Sequence, residues 1–142
     1  MSLVSITRLR VRSWRYLPAF VIYALRSARQ ANRSGGSIGV SIMRENRNTF
    51  WTRTVWENEG AMRSFMLSGV HRRVMPRLLE WCDEASIVHW LQESAELPSW
   101  DEAHRRMQQE GRRSKVNHPS AAHLAYEIPS PNPQSKRELR LK

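Results

Sequence analysis

The stretch from residue 49 to residue 82, TFWTRTVWENEGAMRSFMLSGVHRRVMPRLLEWC, decides the fold of this chain. Its first part divides into two alternating sets of side chains, and this period of two is typical of a β-strand. The sets are Phe50, Thr52, Thr54 and Trp56 on one side and Trp51, Arg53 and Val55 on the other. Asn58 then suits the N-cap of a helix, because its side-chain oxygen can accept from a free backbone N–H. The stretch therefore predicts a strand that leads into a capped helix.

A second helix follows the first within the same stretch. Gly69 marks a break, and from His71 onward the apolar residues recur three and four positions apart, as on one face of a helix. These residues are Val74, Leu78, Trp81 and Cys82. Pro76 lies inside this helical piece and either kinks it or restarts it.

The same patterns occur on both sides of this stretch. Alternation predicts strands over residues 4–12, 38–43 and 85–92, and the second of these forms a hairpin with the strand that ends at Trp56. Helical spacing predicts helices over residues 18–34 and 98–110, with Ser99 as the cap of the latter. The order βαββαβ is the ferredoxin-like unit, an α+β fold with one antiparallel sheet and helices on one face.

Both sides of the predicted sheet carry apolar side chains. Leu9 and Trp51, for example, fall on opposite strand faces. Because helices cover one face only, the other face also has to be buried. We therefore expect a homodimer in which the sheets of two copies face one another.

The chain divides into a domain and a C-terminal extension. Residues 1–110 form the predicted ferredoxin-like domain, which ends with a C-terminal helix at Gly111, and residues 111–128 form an extension without periodicity. Residues 129–142 combine prolines with basic side chains, so that we expect a disordered basic tail.

Composition limits the cellular setting. The 142 residues include one cysteine, Cys82, which excludes an intramolecular disulfide and favours a reducing, cytoplasmic location. The net charge is +10, and residues 1–44 contain eight arginines and no acid, a composition that targeting leaders also show. The alternation over residues 4–12 favours the first strand instead. The apolar run 17–25 is shorter than the about 20 residues needed to span a bilayer, so we expect no membrane partner.

Three segments carry a resemblance to a known family: WTRTVWENEGAMRSFMLSGVHRRVMP, TRLRVRS and LPSWDEAHRRM. They resemble the dimeric α/β-barrel superfamily that contains the antibiotic-biosynthesis monooxygenases. Within it, the chain is most similar to small uncharacterised bacterial domains related to spheroidene monooxygenase. The resemblance covers about residues 3–110 and implies the fold, a homodimer and a ligand pocket between the sheet and the second helical segment. The superfamily includes cofactor-free oxygenases, haem proteins, isomerases and binding proteins, so fold does not select among these activities.

The candidate pocket residues follow from this implied position. Apolar and aromatic side chains, with one histidine, are the substrate-binding candidates. They are Trp51, Trp56, Phe65, Met75, Trp81 and His89. Each of them also has a simpler interpretation as a core residue, and His89 as a core or dimer-interface histidine.

The candidate catalytic residues are His71, Arg53 and Arg10. A cofactor-free oxygenase needs an electron-rich substrate, such as a phenol or a polyketide, that is deprotonated and then passes an electron to oxygen. His71 is the candidate base, and Arg53 or Arg10 is the candidate cation for the resulting anion. An apolar substrate of the isoprenoid type is the other expectation from the resemblance. Alternatively, His71 has a structural role and the arginines are solvated or paired with acids.

We expect no cofactor, with haem as the alternative. Matching the chain to haem-degrading members of the superfamily from Trp56 onward places Met75 near their iron ligand, and Phe65 where they have a tryptophan. His71 could still bind iron as a single proximal histidine. His118 and His123 have a spacing that zinc ligands can use, but no cysteine or carboxylate cluster accompanies them, so we expect no metal site.

Two other classes of function stay open. The basic charge and the neighbouring aromatic residues would suit a nucleic-acid-binding domain, but the aromatic RNP sequence of such sheets is absent, so nucleic acid is not the expected partner. A dimeric binding protein without catalysis is the third alternative. A phosphate-binding glycine loop and a dinucleotide fingerprint are both absent from the sequence, which argues against nucleotide-dependent chemistry.

Overall fold

The computed structural model describes residues 1–131 and 137–142, and it confirms the predicted order βαββαβ. The core elements are β1 (Ser2–Val11), α1 (Leu17–Arg33), β2 (Ser37–Glu45), β3 (Thr49–Trp56), α2 (Glu59–Met66), α3 (Gly69–Trp81) and β4 (Cys82–Gln92). A short 3-10 turn, Trp14–Tyr16, precedes α1. The elements that follow are α4 (Trp100–Glu110), β5 (Arg112–Arg113), α5 (Ala121–Ala125) and β6 (Arg137–Arg140).

The strands form one antiparallel sheet in the order β5-β4-β1-β3-β2-β6. Strand β1 is central, and in the register it pairs Ile6 with Arg53 of β3 and with Val88 of β4. The predicted helix caps are present: the side chain of Asn58 accepts from the backbone N–H of Ala61, and that of Ser99 accepts from Glu102. The α+β ferredoxin-like fold is thus confirmed.

The sheet separates two apolar clusters. The first lies between the sheet and the helices α1, α2 and α3, and it includes Phe20, Phe50, Trp56, Phe65, Val74 and Trp81. The second lies on the opposite face, where strand residues such as Trp51 and Val55 pack against Ala103 and Met107 of α4 and against Ile128. Both faces of the sheet are therefore covered within one chain.

This second cluster bears on the predicted homodimer. The prediction rested on apolar residues of the second sheet face, which a second copy was expected to bury. Trp51 and Val55 are both 0% exposed within the single chain, because α4 lies over them. The homodimer accordingly stays a prediction, and burial of this face no longer argues for it.

The predicted disordered tail is wrong for residues 137–140, which form strand β6 and pair with β2. The side chain of Glu138 accepts hydrogen bonds from Ser41, Arg53 and Trp100, so β6 is joined to β2, β3 and α4. The part of the predicted tail at residues 132–136 lies outside the described residues. The end of the chain is thus part of the folded sheet.

Two further properties concern membranes and metals. Among the described residues, none of the helices has the length and apolar character that crossing a bilayer requires. The same residues contain no group of three or more His, Cys, Asp and Glu side chains that could hold a metal ion. His118 instead lies 3.3 Å from the carboxylate of Glu80.

We expect Cys82 to be unreactive in the native protein. Its side chain is 0% exposed, and burial, together with the negative charge of Asp83, raises its pKa from an ordinary 9.0 to about 12. Because the thiolate is the nucleophile, modification by a disulfide reagent should be about 1,000-fold slower in the native than in the unfolded protein. Absorbance during labelling, with and without denaturant, measures this ratio. Equal rates would show that Cys82 is accessible.

Candidate functional site

A cavity of about 300 Å³ lies between the helix-facing side of the sheet and the helices α1, α2 and α3. The sheet contributes hydroxyl-bearing and apolar residues to its wall, among them Ser5, Thr7, Thr52, Thr54, Trp56 and Ile87. The helices contribute Tyr23, Ala24, Phe65, His71, Met75 and Leu78. The volume is at the lower end of the range for small-molecule sites, and the wall is mostly apolar with a few polar groups, as is usual for such sites.

Four of the predicted site residues meet at this cavity. Trp56, Phe65, His71 and Met75 all line it. The rings of Trp56 and Phe65 are stacked at 5.2 Å, and the rings of Phe65 and His71 lie 4.7 Å apart. The structure therefore places the predicted histidine beside predicted aromatic residues in one pocket, between the sheet and the second helical segment.

The other predicted substrate-binding residues lie outside the cavity wall. Trp81 belongs to the same apolar cluster but packs against Tyr23, with the ring centroids 5.9 Å apart. Trp51 lies on the opposite face of the sheet under α4. His89 is paired with Ser5 across β1 and β4, and it does not reach the cavity. The alternation of side chains along β3 explains why Trp51 lies outside the cavity, because a strand that presents Thr52 and Thr54 to one face must present Trp51 to the other.

The two predicted catalytic arginines are also away from the cavity. Arg53 lies on the α4 side of the sheet, where its guanidinium donates to the carbonyl of Pro98 at 2.6 Å, pairs with Glu138 and sits 3.8 Å from the centre of the Trp100 ring. Arg10 pairs with Glu84 at 2.9 Å. Both arginines already have partners in the chain, so the structure assigns them to the fold and does not place either where it could bind a ligand in the cavity.

His71 is held in place from two sides. The backbone N–H of His71 donates to the side-chain oxygen of Gln30 at 2.9 Å, and the amide nitrogen of Gln30 donates to the carbonyl oxygens of Phe65 and Ser68. Gly69 permits this arrangement, because its φ is +58° and a Cβ there would lie 3.1 Å from the Gln30 amide. The sequence break between α2 and α3 therefore positions the histidine at the cavity.

The hydrogen bond of the His71 ring determines its tautomer. Nδ1 lies 3.2 Å from the carbonyl oxygen of Met66. A carbonyl oxygen can only accept, so Nδ1 carries the hydrogen and Nε2 carries the lone pair of the neutral ring. Burial lowers the pKa of His71, although the bond to Met66 partly opposes this effect. The ring is therefore neutral near pH 7, and Nε2 can accept a hydrogen bond or a proton from a ligand.

Two further polar groups of the cavity were missed in the sequence analysis. Ser27 lines the cavity, and its hydroxyl oxygen is buried without a hydrogen-bond partner. Its position on the buried stripe of α1, one residue before Ala28, was a signal that could have found it. Lys115 also lines the cavity, and no carboxylate does so among the described residues. Lys115 lies in a segment without periodicity, so the sequence offered no signal for it.

Similarity in structure confirms the fold. A conserved protein from Methanosarcina mazei Go1 has 17% sequence identity and a TM-score of 0.58, covering 66% of this chain and 94% of that protein. SnoaB from Streptomyces nogalater, a cofactor-independent oxygenase, has 17% identity and a TM-score of 0.56, covering 69% and 98%. An antibiotic biosynthesis monooxygenase has 8% identity and a TM-score of 0.58, covering 65% and 99%. At these identities the likeness concerns the fold alone.

Similarity in sequence adds the family. No curated protein matches the sequence. A family model does match, over residues 19–138, and this range includes half of β6 and the cavity-lining residues outside β1. Because the match covers most of the chain, the protein belongs to the family described as "Domain of unknown function (DUF3291)", with the ferredoxin-like fold of the antibiotic biosynthesis monooxygenases.

Proposed function

We propose that this protein binds a small apolar molecule of the aromatic polyketide or isoprenoid type in the cavity, and that it oxidises the aromatic type as a cofactor-free monooxygenase. The observation that carries the proposal is the apolar cavity of about 300 Å³ with a neutral histidine in its wall. Apolar surface supplies the affinity for such a ligand, and a single acceptor nitrogen orients its polar group.

The chemistry follows from the groups that line the cavity. The Nε2 atom of His71 accepts the proton of a phenol or enol, and the anion that forms can pass an electron to oxygen. Lys115 is the lining residue whose charge can stabilise this anion, in place of the predicted Arg53 and Arg10. The unpartnered hydroxyl of Ser27 can donate to a second oxygen of the ligand. The substrate is therefore apolar and carries an acidic hydroxyl group.

Haem, the alternative expected from the resemblance, does not fit this site. A cavity of about 300 Å³ is small for a tetrapyrrole. In addition, an iron would have to bind to the ring of His71, and the Phe65 ring already lies 4.7 Å from that ring. The fold is shared with a cofactor-independent oxygenase, which supports a reaction without a cofactor. An absorbance spectrum of the purified protein checks this, because a Soret band would contradict it.

Filling the cavity should abolish binding. Ala24 lines the cavity from α1, so the substitution Ala24→Phe places a ring in the space that the ligand needs. Binding of 1-naphthol, followed by quenching of tryptophan fluorescence, should weaken at least about 10-fold because the apolar contact area is lost. The matched control is Ala125→Phe, at an exposed helical position of α5, which should bind like the original chain.

Oxygen uptake, measured together with this binding, separates an enzyme from a binding protein. Oxygen uptake that depends on the protein, measured with 1-naphthol or anthrone and without an added cofactor, would support the monooxygenase. Binding without oxygen uptake would support a binding protein and contradict catalysis on these compounds. Equal affinities of the Ala24→Phe and Ala125→Phe variants would show that the ligand binds elsewhere, and the proposed site would be wrong.

A further inference from the structure

The outward side of α1 combines exposed apolar residues with arginines. Phe20, Ala28 and Ala31 are the buried residues of this helix, and they mark the side that packs on the sheet. Residues on the opposite side recur at three- and four-residue spacing. Together with Trp14 of the preceding turn, they form what we call the α1 outer surface: Trp14, Pro18, Ile22, Leu25, Arg26, Arg29 and Arg33.

Three large apolar residues of the α1 outer surface are exposed to solvent. Trp14 is 81% exposed, Ile22 is 52% exposed and Leu25 is 37% exposed. By contrast, Trp51, Trp56, Trp81 and Trp90 are buried in the two clusters of the core. Pro18, Ile22 and Leu25 follow one another at three- and four-residue spacing, and neighbouring exposed apolar residues on a charged surface are typical of an interaction site.

The basic part of the α1 outer surface is uncompensated. Among the ion pairs of the described residues, none involves Arg26, Arg29 or Arg33. Helix α3 packs beside α1 and carries two more exposed arginines, Arg72 and Arg73, which have no acidic partner in these pairs either. Residues 1–44 contain no acid at all. The surface therefore attracts a partner that carries negative charge and also accepts apolar side chains.

We propose that the α1 outer surface binds the surface of an anionic phospholipid bilayer. Arginines beside the headgroups are attracted by their negative charge, and the aliphatic side chains next to them enter the boundary of the acyl chains. A tryptophan at one end of such a helix suits the interface, because its ring is apolar and its N–H can reach the headgroups. The expectation of no membrane partner rested on the lack of a spanning segment, and this contact needs none. The absence of a spanning helix among the described residues is therefore compatible with it.

Two other occupants fit this surface less well. A second copy of the chain would bring arginines against arginines, and this repulsion opposes a dimer through α1. A single-stranded nucleic acid would need aromatic rings on which bases stack, whereas Pro18, Ile22 and Leu25 offer none and Trp14 offers one. The bilayer is the partner whose charge and apolar interior match both parts of the surface.

The proposed contact with a bilayer is independent of the reaction in the cavity, but the cavity and the α1 outer surface lie on the two sides of the same helix. Tyr23 and Ala24 line the cavity from the inner side of α1, while Ile22 and Leu25 lie on its outer side. Met75 both lines the cavity and is 43% exposed at the surface of α3. An apolar ligand that is dissolved in a bilayer would therefore lie close to the wall of the cavity when the protein is bound there.

Sedimentation with vesicles tests the proposal. The full chain should bind vesicles of phosphatidylcholine that contain about a third phosphatidylglycerol, and it should bind pure phosphatidylcholine weakly. The triple substitution Arg26→Gln, Arg29→Gln and Arg33→Gln should weaken binding to the anionic vesicles roughly 100-fold. The double substitution Ile22→Gln and Leu25→Gln should weaken it by roughly 10-fold or more.

The control removes the same charge elsewhere. Arg47→Gln, Arg112→Gln and Arg140→Gln together change exposed arginines outside the α1 outer surface, and they should leave binding within about threefold. All of these side chains are exposed, so circular dichroism should show an unchanged fold in both triple variants. The fluorescence of Trp14 gives a second readout: it should shift to the blue on addition of anionic vesicles, and Trp14→Phe should remove the shift.

Three results would overturn the proposal. The first is a full-length protein that does not sediment with anionic vesicles. The second is an equal loss of binding in the two triple variants, which would reduce the effect to net charge. The third is tight binding to an oligonucleotide without binding to vesicles, which would assign the surface to a nucleic acid.

Discussion

The substitution Glu84→Gln is expected to lower the free energy of unfolding by about 3–5 kcal/mol. Glu84 accepts from Arg8 at 2.7 Å, and the two side chains are only 6% and 4% exposed. It also accepts from Arg10 at 2.9 Å and from the hydroxyl of Ser120 at 2.8 Å. Glutamine has nearly the same size but no charge, so the guanidinium of Arg8 would remain buried without an opposite charge.

Urea unfolding followed by circular dichroism measures this loss. The control is Glu59→Gln, because Glu59 pairs with Arg63 on α2 and these side chains are 65% and 70% exposed. An exposed pair of this kind contributes less than about 1 kcal/mol. Equal losses in the free energy of unfolding would show that the buried pair of Arg8 and Glu84 stabilises the fold no more than an exposed pair.

The dependence on pH identifies charge as the cause. Burial opposes ionisation of Glu84, but hydrogen bonds from Arg8 and Ser120 outweigh it and lower the pKa of this carboxyl below its ordinary 4.5. A carboxyl with a lowered pKa in the folded state stabilises the protein above its unfolded pKa, and this stability is lost as the pH falls through the folded value. The difference between the original chain and Glu84→Gln should therefore be full at pH 7 and shrink below about pH 4.

The strands and helices could be predicted because their signals are local. Alternation over residues 49–56 and the cap at Asn58 involve neighbours in sequence, and both are present in the structure. The choice of the cavity face was not local. The alternation of β3 separates Trp51 and Arg53 from Thr52 and Thr54, but it does not say which set faces α1, α2 and α3. We assigned the pocket partly to the larger and charged residues, whereas the cavity is lined by the threonines.

The end of the chain shows the same limit more strongly. The four residues of β6 follow a segment rich in proline, and nothing in their own sequence separates them from a disordered tail. They become a strand because β2 offers an edge and because Arg53, Ser41 and Trp100 surround Glu138. These partners are distant in sequence. Such contacts cannot be read from periodicity, and the same reason explains why Lys115 was missed.

The substitution His71→Ala is expected to lower the rate of oxygen uptake with a phenolic substrate by about 10²–10⁴-fold, the usual contribution of a general base. Burial lowers the pKa of His71, so the ring stays neutral and able to accept a proton at pH values below the ordinary 6.5. In the original chain the rate should therefore persist at pH 6.5 and fall only at lower pH, as the ring becomes protonated. Oxygen uptake measured against pH in both proteins checks the size and the position of the effect.

The expected loss depends on how the His71 ring is held in the cavity, and two variants separate a catalytic role of this ring from a structural one. Gln30→Ala removes the side chain that accepts a hydrogen bond from the His71 backbone but leaves the imidazole in place. The rate of oxygen uptake should therefore fall less than in His71→Ala. The pKa of His71 should change as well, because the ring changes its position. His118→Ala removes an exposed histidine outside the cavity and should leave the rate unchanged. If His71→Ala bound 1-naphthol and consumed oxygen like the original chain, His71 would have no part in the mechanism. If binding persisted and oxygen uptake alone were lost, the Nε2 atom would be the base.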